Sequence, residues 1–148
     1  MLRLMGRAAY RVAWHMRRTW LRLVGGTLHG TAVIGLDSER RILLVRHSYG
    51  SRAWSFPGGG KKAGEDPLHA ARREFAEELG CEIAAPEFLG HLRIPFEKAE
   101  NEIDVFCATV VGNPRPDGLE LTHAAFFSRN DLPEPMSKVA LTQLELMD

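Results

Sequence analysis

The sequence predicts one mixed α/β domain preceded by a basic helical segment. Its 148 residues suit a single domain with a hydrophobic core and are too few for two comfortable ones. Short apolar runs with the period of β-strands are interrupted by a capped segment with the period of an α-helix. Hydrophobic residues make up 45% of the chain and charged residues 26%, a globular composition that gives no sign of disorder, collagen or a coiled coil.

Residues 1–26 are predicted as a basic amphipathic helix and residues 27–148 as the folded domain. Over positions 2–24 the apolar side chains gather on one side of a helical projection, five arginines lie opposite, and a glycine pair ends the pattern. No acidic residue precedes Asp37, whereas six arginines do, so the remaining 112 residues carry a net charge of −6 in a neutral chain. Because arginine recurs every few residues, neither a membrane span nor a signal peptide is expected.

Three roles remain open for this N-terminal segment. Its apolar side could pack against the domain or against a second copy, which would give a homodimer. It could lie on an anionic membrane surface as a peripheral contact, since Trp14 and Trp20 suit an interface. It could also be a basic arm or a targeting segment, although specific nucleic-acid binding is not expected.

The predicted elements follow the segment in order. The predicted strands are residues 31–36, 41–46, 54–56, 87–94, 103–111 and 124–128. A helix begins with Asp66 as N-cap and Pro67 at its first position, and Gly80 ends it. Residues 57–60 are predicted as a glycine loop before this helix, and residues 137–147 as a final helix.

Cysteines and histidines show no metal-ligand spacing. Cys81 and Cys107 stand in apolar surroundings, which indicates reduced, buried thiols and a cytoplasmic protein. Four histidines are expected at surface or core positions without a catalytic role: His47, His69, His91 and His123.

Three glutamates carry the most informative chemistry. Glu74, Glu77 and Glu78 lie at i, i+3 and i+4 of the predicted helix, so their carboxylates share one face. Such a cluster attracts a hard divalent cation, either Mg²⁺ or Mn²⁺. Alone, the pattern is more typical of a solvated acidic helix face. Here, however, a triglycine stretch precedes it, and Arg73 is spaced to pair with Glu65 and hold that stretch against the helix.

These residues resemble the Nudix box. Gly59 is followed after five residues by Glu65, and after seven more by the run Arg73-Glu74-Phe-Ala-Glu77-Glu78-Leu-Gly-Cys81. Every polar and glycine position of the box holds the expected residue, and the apolar positions keep apolar side chains. The resemblance implies the α/β/α sandwich of Nudix hydrolases, with a mixed sheet and a loop–helix–loop that holds metal.

The resemblance also implies roles for individual residues. The metal ligands would be Glu74, Glu78 and the backbone carbonyl of Gly59, and Glu77 would contribute directly or through a water molecule. Arg73 and Glu65 would fix the loop. A further glutamate that binds metal or acts as base is expected before a late strand, where Glu120 is the candidate and Glu100 and Glu102 are rivals. Expected substrate contacts are Arg46, Trp54, Gly58, Gly59 and Gly60.

The implied activity is hydrolysis of the diphosphate linkage in a small nucleotide-like substrate, assisted by Mg²⁺ or Mn²⁺. Markers of the subgroups that cut dinucleoside polyphosphates, NADH or coenzyme A are missing. Nucleoside triphosphates, ADP-ribose and other sugar nucleotides therefore remain open. The alternative is a non-catalytic Nudix domain that senses a nucleotide and regulates a partner, although such domains usually have a broken box.

Overall fold

A computed structural model describes residues 26–48, 50–96 and 98–148, together with Ala9, Val12, Ala13 and Met16. The described ranges contain six strands and two helices. In chain order they are β1 (Gly26–Leu36), β2 (Ile42–His47), β3 (Gly58–Gly60), α1 (Pro67–Leu79), β4 (Glu82–Phe96), β5 (Ala99–Val111), β6 (Leu121–Phe127) and α2 (Lys138–Glu145). The predicted N-terminal helix lies outside these residues apart from the four named, and the predicted division of the chain at residue 26 stays a prediction.

The strands form one mixed sheet in the order β4-β5-β1-β2-β6, and the short β3 also pairs with β1. The β1–β5 pair is parallel over the full length of β1, whereas the other pairs are antiparallel. β1 and β2 meet only at the turn, where Leu36 lies opposite Ile42. This leaves the middle of β1 open to β3, which brings the glycine stretch into the sheet.

Alternate residues of the central strands pack against different helices, as expected when both faces of a sheet are buried. Val33 and Val45 belong to a core cluster with Phe75 of α1. Ile34 and Leu44 belong to a second cluster, which contains Ala140 and Leu144 of α2. The predicted α/β/α sandwich is therefore confirmed for the domain. Each large apolar side chain buried in this way contributes about 1.5–3 kcal/mol.

The ends of α1 follow from its sequence as predicted. The Asp66 carboxylate accepts the backbone N–H of His69 at 3.1 Å, and Pro67 occupies the first turn, where no N–H donor is needed. Gly80 ends the helix with φ 66°, in the left-handed region that favours glycine, and donates its N–H to the Ala76 carbonyl at 2.9 Å.

Several strands are longer than predicted. β4 begins at Glu82 and passes through Pro86, where the pairing with β5 shifts register between Ala84 and Glu87. Ala85 takes a positive φ of 49° at this bulge, and β4 is an edge strand, where a proline is tolerated. The polar start of β5 is paired on both sides, by β1 and β4, although its sequence does not have a strand pattern. Within the part of the chain that the structure describes, no helix meets the length and hydropathy needed to cross a membrane.

Candidate active site

The glycine stretch is a strand and not the predicted loop. Gly58, Gly59 and Gly60 lie opposite residues 32, 31 and 30 of β1. Backbone bonds flank this pairing on both sides, from Val33 N–H to the carbonyl of residue 57 at 2.9 Å and from residue 61 N–H to the carbonyl of residue 29 at 3.0 Å. A Cβ at Gly58 would lie 2.1 Å from the Thr31 carbonyl oxygen, so only glycine permits this approach.

Gly59 brings the backbone of β3 against the carboxylate of Glu74. A Cβ at Gly59 would lie 2.5 Å from the carboxyl carbon of Glu74 and 2.6 Å from its Oε2. The box glycine and the first box glutamate therefore form one contact, although 14 residues lie between them. This contact places a carboxylate oxygen beside the main chain of the sheet.

Two of the three box carboxylates are buried. Glu74 retains 6% and Glu78 2% of their accessible surface, whereas Glu77 is partly exposed. Glu74 and Glu78 are one helical turn apart on the inner side of α1. Because an ionised carboxylate is costly to remove from water unless it is compensated, two such groups together indicate a site that binds positive charge.

Arg73 ties the loop, the strand and the helix together, as its spacing predicted. Its Nε and Nη2 each donate to a different carboxylate oxygen of Glu65, both at 2.9 Å. Nη2 also donates to the Gly60 carbonyl at 3.0 Å, and Nη1 donates to Glu74 Oε1 at 2.8 Å. Bidentate pairs of this kind are strong because both hydrogen bonds are charge-assisted and their geometry is fixed.

The charges of this cluster shift the pKa values of its members in opposite directions. Hydrogen bonds from Arg73 hold the pKa of Glu65 well below its usual range, and the Lys62 N–H and His69 add to this effect. Burial raises the pKa of Glu74, the guanidinium of Arg73 opposes that rise, and the negative charges of Glu77 and Glu120 add to it. A bound cation would relieve this repulsion.

Glu120 lies at the end of the loop that precedes β6. Its charge acts on Glu74, so the structure brings these two predicted residues into one electrostatic neighbourhood. Glu102 of β5 is engaged elsewhere: it forms an ion pair with Arg93, whose Nε lies 2.9 Å from Oε1, and its Oε2 lies 3.2 Å from His29 Nδ1. Glu100 lies beside residues 27 and 95 at the start of β5.

The loop that carries Glu120 depends on two residues that sequence reasoning missed. One oxygen of Asp117 accepts three backbone N–H groups, and Ser48 bonds to the loop from the end of β2. The dipeptide Asp117-Gly118 signals a turn in the sequence. No local pattern, however, shows that the turn belongs to the site.

Arg46 and Trp54, two of the predicted substrate contacts, lie together. The guanidinium carbon of Arg46 is 5.4 Å from the ring centroid of Trp54, and Arg46 Nε donates to the Arg52 carbonyl at 3.0 Å. Trp54 also makes edge contacts with Phe127 at 5.0 Å and His123 at 6.3 Å. Trp54 packs against the core on the α2 side, so this pair and the carboxylates of α1 lie on opposite faces of the sheet.

The donors present suit a hard cation that keeps part of its water shell. Among the described residues, no group of three or more His, Cys, Asp or Glu side chains is arranged to hold a metal ion alone. Glu74, with the Gly59 backbone beside it, and Glu78 offer oxygen donors in a buried setting. Mg²⁺ is commonly held by one or two carboxylates, waters and substrate phosphates, and this donor set fits that pattern.

Comparison with known proteins agrees with this geometry. A model of the NUDIX domain matches residues 26–147. An RNA pyrophosphohydrolase of Bartonella bacilliformis is 51% identical over 43 residues, covering 28% of this chain and 25% of that protein. An ADP-ribose pyrophosphatase of Mycobacterium tuberculosis is 30% identical over 115 residues, covering 67% and 56%. An 8-oxo-dGTP diphosphatase of Buchnera aphidicola is 28% identical over 71 residues, covering 48% and 57%.

The chain thus spans between a quarter and somewhat more than half of the length of these relatives. Among solved structures, a MutT NUDIX hydrolase from Burkholderia pseudomallei shares the fold with a TM-score of 0.76 at 23% identity, covering 82% of this chain and 98% of that one. The match to the domain over most of the chain, together with the complete box, establishes the family: the chain belongs to the Nudix family.

Proposed function

We propose that the chain is a metal-dependent Nudix pyrophosphohydrolase, which uses water to cut the diphosphate linkage of a small nucleotide-like substrate. The contact between Gly59 and Glu74 carries this proposal, because it sets a buried carboxylate against the backbone of β3. Glu78, also buried, lies one helical turn from Glu74, so the two carboxylates together need positive charge nearby. Arg73 and Glu65 keep this arrangement rigid through their bidentate pair. Rigid donors of this kind suit catalysis by electrostatic stabilisation.

Glu74 and Glu78 are the proposed metal ligands, with Glu77 acting directly or through water and the Gly59 carbonyl as a backbone donor. The proposed ion is Mg²⁺ or Mn²⁺. Such an ion, when bound, neutralises charge on the diphosphate oxygens as the bond breaks. Burial of both carboxylates and the repulsion from nearby Glu77 and Glu120 support this choice of ligands.

The protein's own proton acceptor is Glu120 or Glu74. A general base must reach the attacking water by a hydrogen bond and must be unprotonated. Arg73 donates to Glu74 Oε1 and so favours its charged form, whereas burial opposes it. Glu120 is less buried than Glu74, so water reaches it more readily, which favours it as the base, with Glu74 then serving as a ligand.

Substrate contacts are proposed for Arg46 and Trp54, together with backbone groups of Gly58, Gly59 and Gly60. The indole of Trp54 offers a face or edge for a planar base, and the Arg46 guanidinium beside it carries charge that suits a phosphate. The relatives differ in the substrates their names state, which are RNA, ADP-ribose and 8-oxo-dGTP. The substrate class proposed here is accordingly a nucleoside triphosphate, ADP-ribose or another nucleotide sugar.

A metal and substrate panel tests the proposal. Full-length protein is incubated with Mg²⁺ or Mn²⁺, and separately with chelator, against nucleoside triphosphates, ADP-ribose, sugar nucleotides and dinucleoside polyphosphates. Phosphate release is read with and without added phosphatase, which separates pyrophosphate or phosphomonoester products from free phosphate. Metal-dependent turnover of one class is expected. Nucleotide binding without any turnover would instead favour the sensor function.

The compartment and assembly of the protein are part of the same proposal. Cys81 and Cys107 are both free thiols, as a cytoplasmic location would require. Homodimer formation through residues 1–26, or contact of that segment with an anionic membrane, remains a proposal based on its sequence alone.

A further inference from the structure

A single carboxylate oxygen organises the loop that carries Glu120. Oδ1 of Asp117 accepts the backbone N–H groups of Leu119, Glu120 and Leu121, each at 3.0 Å. Three converging amides form a small anion-binding concavity, and hydrogen bonds to a charged acceptor are roughly twice as strong as neutral ones. Gly118, with φ 76°, allows the chain to turn back, and its N–H reaches the Leu121 carbonyl at 3.0 Å.

The other side of this loop is tied to the end of β2. The Ser48 N–H donates to the Glu120 carbonyl at 2.8 Å, and the Ser48 hydroxyl donates to the Leu119 carbonyl at 2.8 Å. Both backbone polar groups of Glu120 are thus bound, one by Asp117 and one by Ser48. With its main chain fixed from two sides, the carboxylate of Glu120 can move only through its own side-chain torsions.

Fixing this backbone matters because the loop lies against another element. The Arg115 N–H of the loop donates to the Leu79 carbonyl of α1 at 2.9 Å, and Leu121 packs in one core cluster with Phe75 of α1, so Glu120 is held beside the helix that carries Glu74. The negative charge of Glu120 also helps to raise the pKa of Glu74. A small shift of a reacting group can lower a rate by about a hundredfold. Arg115 ties the start of this loop to α1, whereas Asp117 and Ser48 hold residues 119–121 from outside α1.

We propose that Asp117 is a positioning residue, which holds the backbone of residues 119–121 so that the Glu120 carboxylate meets the Glu74 site. This inference rests on the proposed function, since it gives Glu120 a part in the reaction. Asp117 itself need not touch substrate or metal. Ser48 supports the same loop from β2, but through neutral hydrogen bonds that contribute less.

Kinetics of four variants test the inference. Asp117→Ala removes the acceptor and is expected to lower kcat about tenfold with little change in KM. Asp117→Asn keeps an oxygen at the same place and is expected to recover most of the loss. Glu120→Gln removes the carboxylate that Asp117 is proposed to position. When Glu120 is already Gln, Asp117→Ala should therefore change kcat by less than twofold.

Asp37→Ala is the matched control. Asp37 Oδ1 accepts the backbone N–H groups of Glu39 and Arg41 at 3.0 and 2.8 Å, so it stabilises a turn in the same manner, but at the β1–β2 connection. It should lower the melting temperature about as much as Asp117→Ala while leaving kcat unchanged. Amide hydrogen exchange supplies a readout that is independent of activity: the amides of residues 119–121 should exchange faster in Asp117→Ala than in the Asp37 variant.

The outcomes separate this inference from the proposed function. Wild-type protein without turnover on any substrate contradicts the proposed function and removes the basis of the inference with it. An active wild type whose Asp117→Ala variant keeps its kcat overturns the inference alone. The inference is also overturned if Asp117→Ala lowers kcat equally in wild type and in the Glu120→Gln variant, since Asp117 would then act through general stability.

Discussion

Gly59 and Glu74 lie so close together that a methyl group on Gly59 would displace the Glu74 carboxylate. The Cβ of Gly59→Ala would fall 2.5 Å from the Glu74 carboxyl carbon. The carboxylate is the far end of a flexible side chain, so it can move, but only by weakening its bond to Arg73. The glycine is thus explained by the side chain opposite it as well as by backbone conformation.

Gly59→Ala is expected to lower kcat/KM about a hundredfold with a small change in melting temperature, because a ligand carboxylate is displaced while the fold is kept. Gly58→Ala is its neighbour for comparison: there the Cβ would collide with the Thr31 carbonyl, a backbone atom that cannot move away. We expect about 2 kcal/mol of destabilisation from that clash. Steady-state kinetics and urea unfolding of both variants check this, and equal activity of Gly59→Ala and wild type would refute the contact.

Helix α1 works as a unit with the loop before it, because Arg73 binds Glu65, Gly60 and Glu74 at once. A lysine has the charge but not the planar fork needed for the bidentate pair. Arg73→Lys is therefore expected to lower the free energy of unfolding by about 1–2 kcal/mol and to lower kcat. Arg72→Lys is the matched control, since exposed Arg72 makes only one hydrogen bond that the structure specifies, to the Ile83 carbonyl. Identical behaviour of the two variants would contradict the account.

The ion pair of Arg73 and Glu65 predicts how the free energy of unfolding depends on pH. Arg73 holds the pKa of Glu65 in the folded state well below the value of about 4.3 expected for an unfolded chain. The stabilisation contributed by charged Glu65 is therefore complete above the unfolded-state pKa and is lost as the pH falls toward the folded-state pKa. The difference in unfolding free energy between wild type and Glu65→Gln should shrink on acidification from about pH 7 to about pH 3. A constant difference over that range would show that the charge of Glu65 does not matter.

Local features of the sequence were enough to predict α1 and its attachment. Asp66, Pro67 and Gly80 mark the ends of the helix through short-range geometry, and the Arg73–Glu65 pair follows from spacing within one segment. The pairing of β3 with β1 was not predicted, because glycines lack a strand pattern and the pairing depends on residues about thirty positions earlier. The predicted strand at residues 54–56 is reduced to isolated bridges of Trp54 and Ser55 for the same reason, since its partners are distant.

The arrangement of the whole domain explains which parts of the site remained hidden in the sequence. The loop that carries Glu120 lies beside α1 because the order β4-β5-β1-β2-β6 returns the chain beside β2 after β5. Arg46 and Trp54 were predicted as substrate contacts. Their position on the α2 side of the sheet was not predicted, because it follows from strand alternation and packing. A substrate that contacts both the Arg46–Trp54 pair and the carboxylates of α1 would therefore have to reach both faces of the sheet.

All elements of the sandwich lie within residues 26–148, so a chain that begins at Gly26 is expected to fold. We expect its kcat to be within twofold of the full-length value, since the residues that the structure describes in both core clusters and in the site all lie within residues 26–148. Circular dichroism and kinetics check this. Flotation with anionic liposomes and sedimentation of both forms then separate membrane contact from dimer formation. Loss of folding in the shorter form would instead assign the segment to the core.

If Glu74 and Glu78 hold the metal ion of the proposed hydrolysis, removal of the Glu78 charge should abolish turnover without unfolding the protein. Turnover of the best substrate with Mg²⁺ or Mn²⁺ is measured for wild type, Glu78→Gln and Glu145→Gln, the last being an exposed helical glutamate on α2. We expect Glu78→Gln to lose at least about a hundredfold in kcat while it stays folded, and Glu145→Gln to keep the wild-type kcat. A folded Glu78→Gln protein as active as wild type would contradict that expectation.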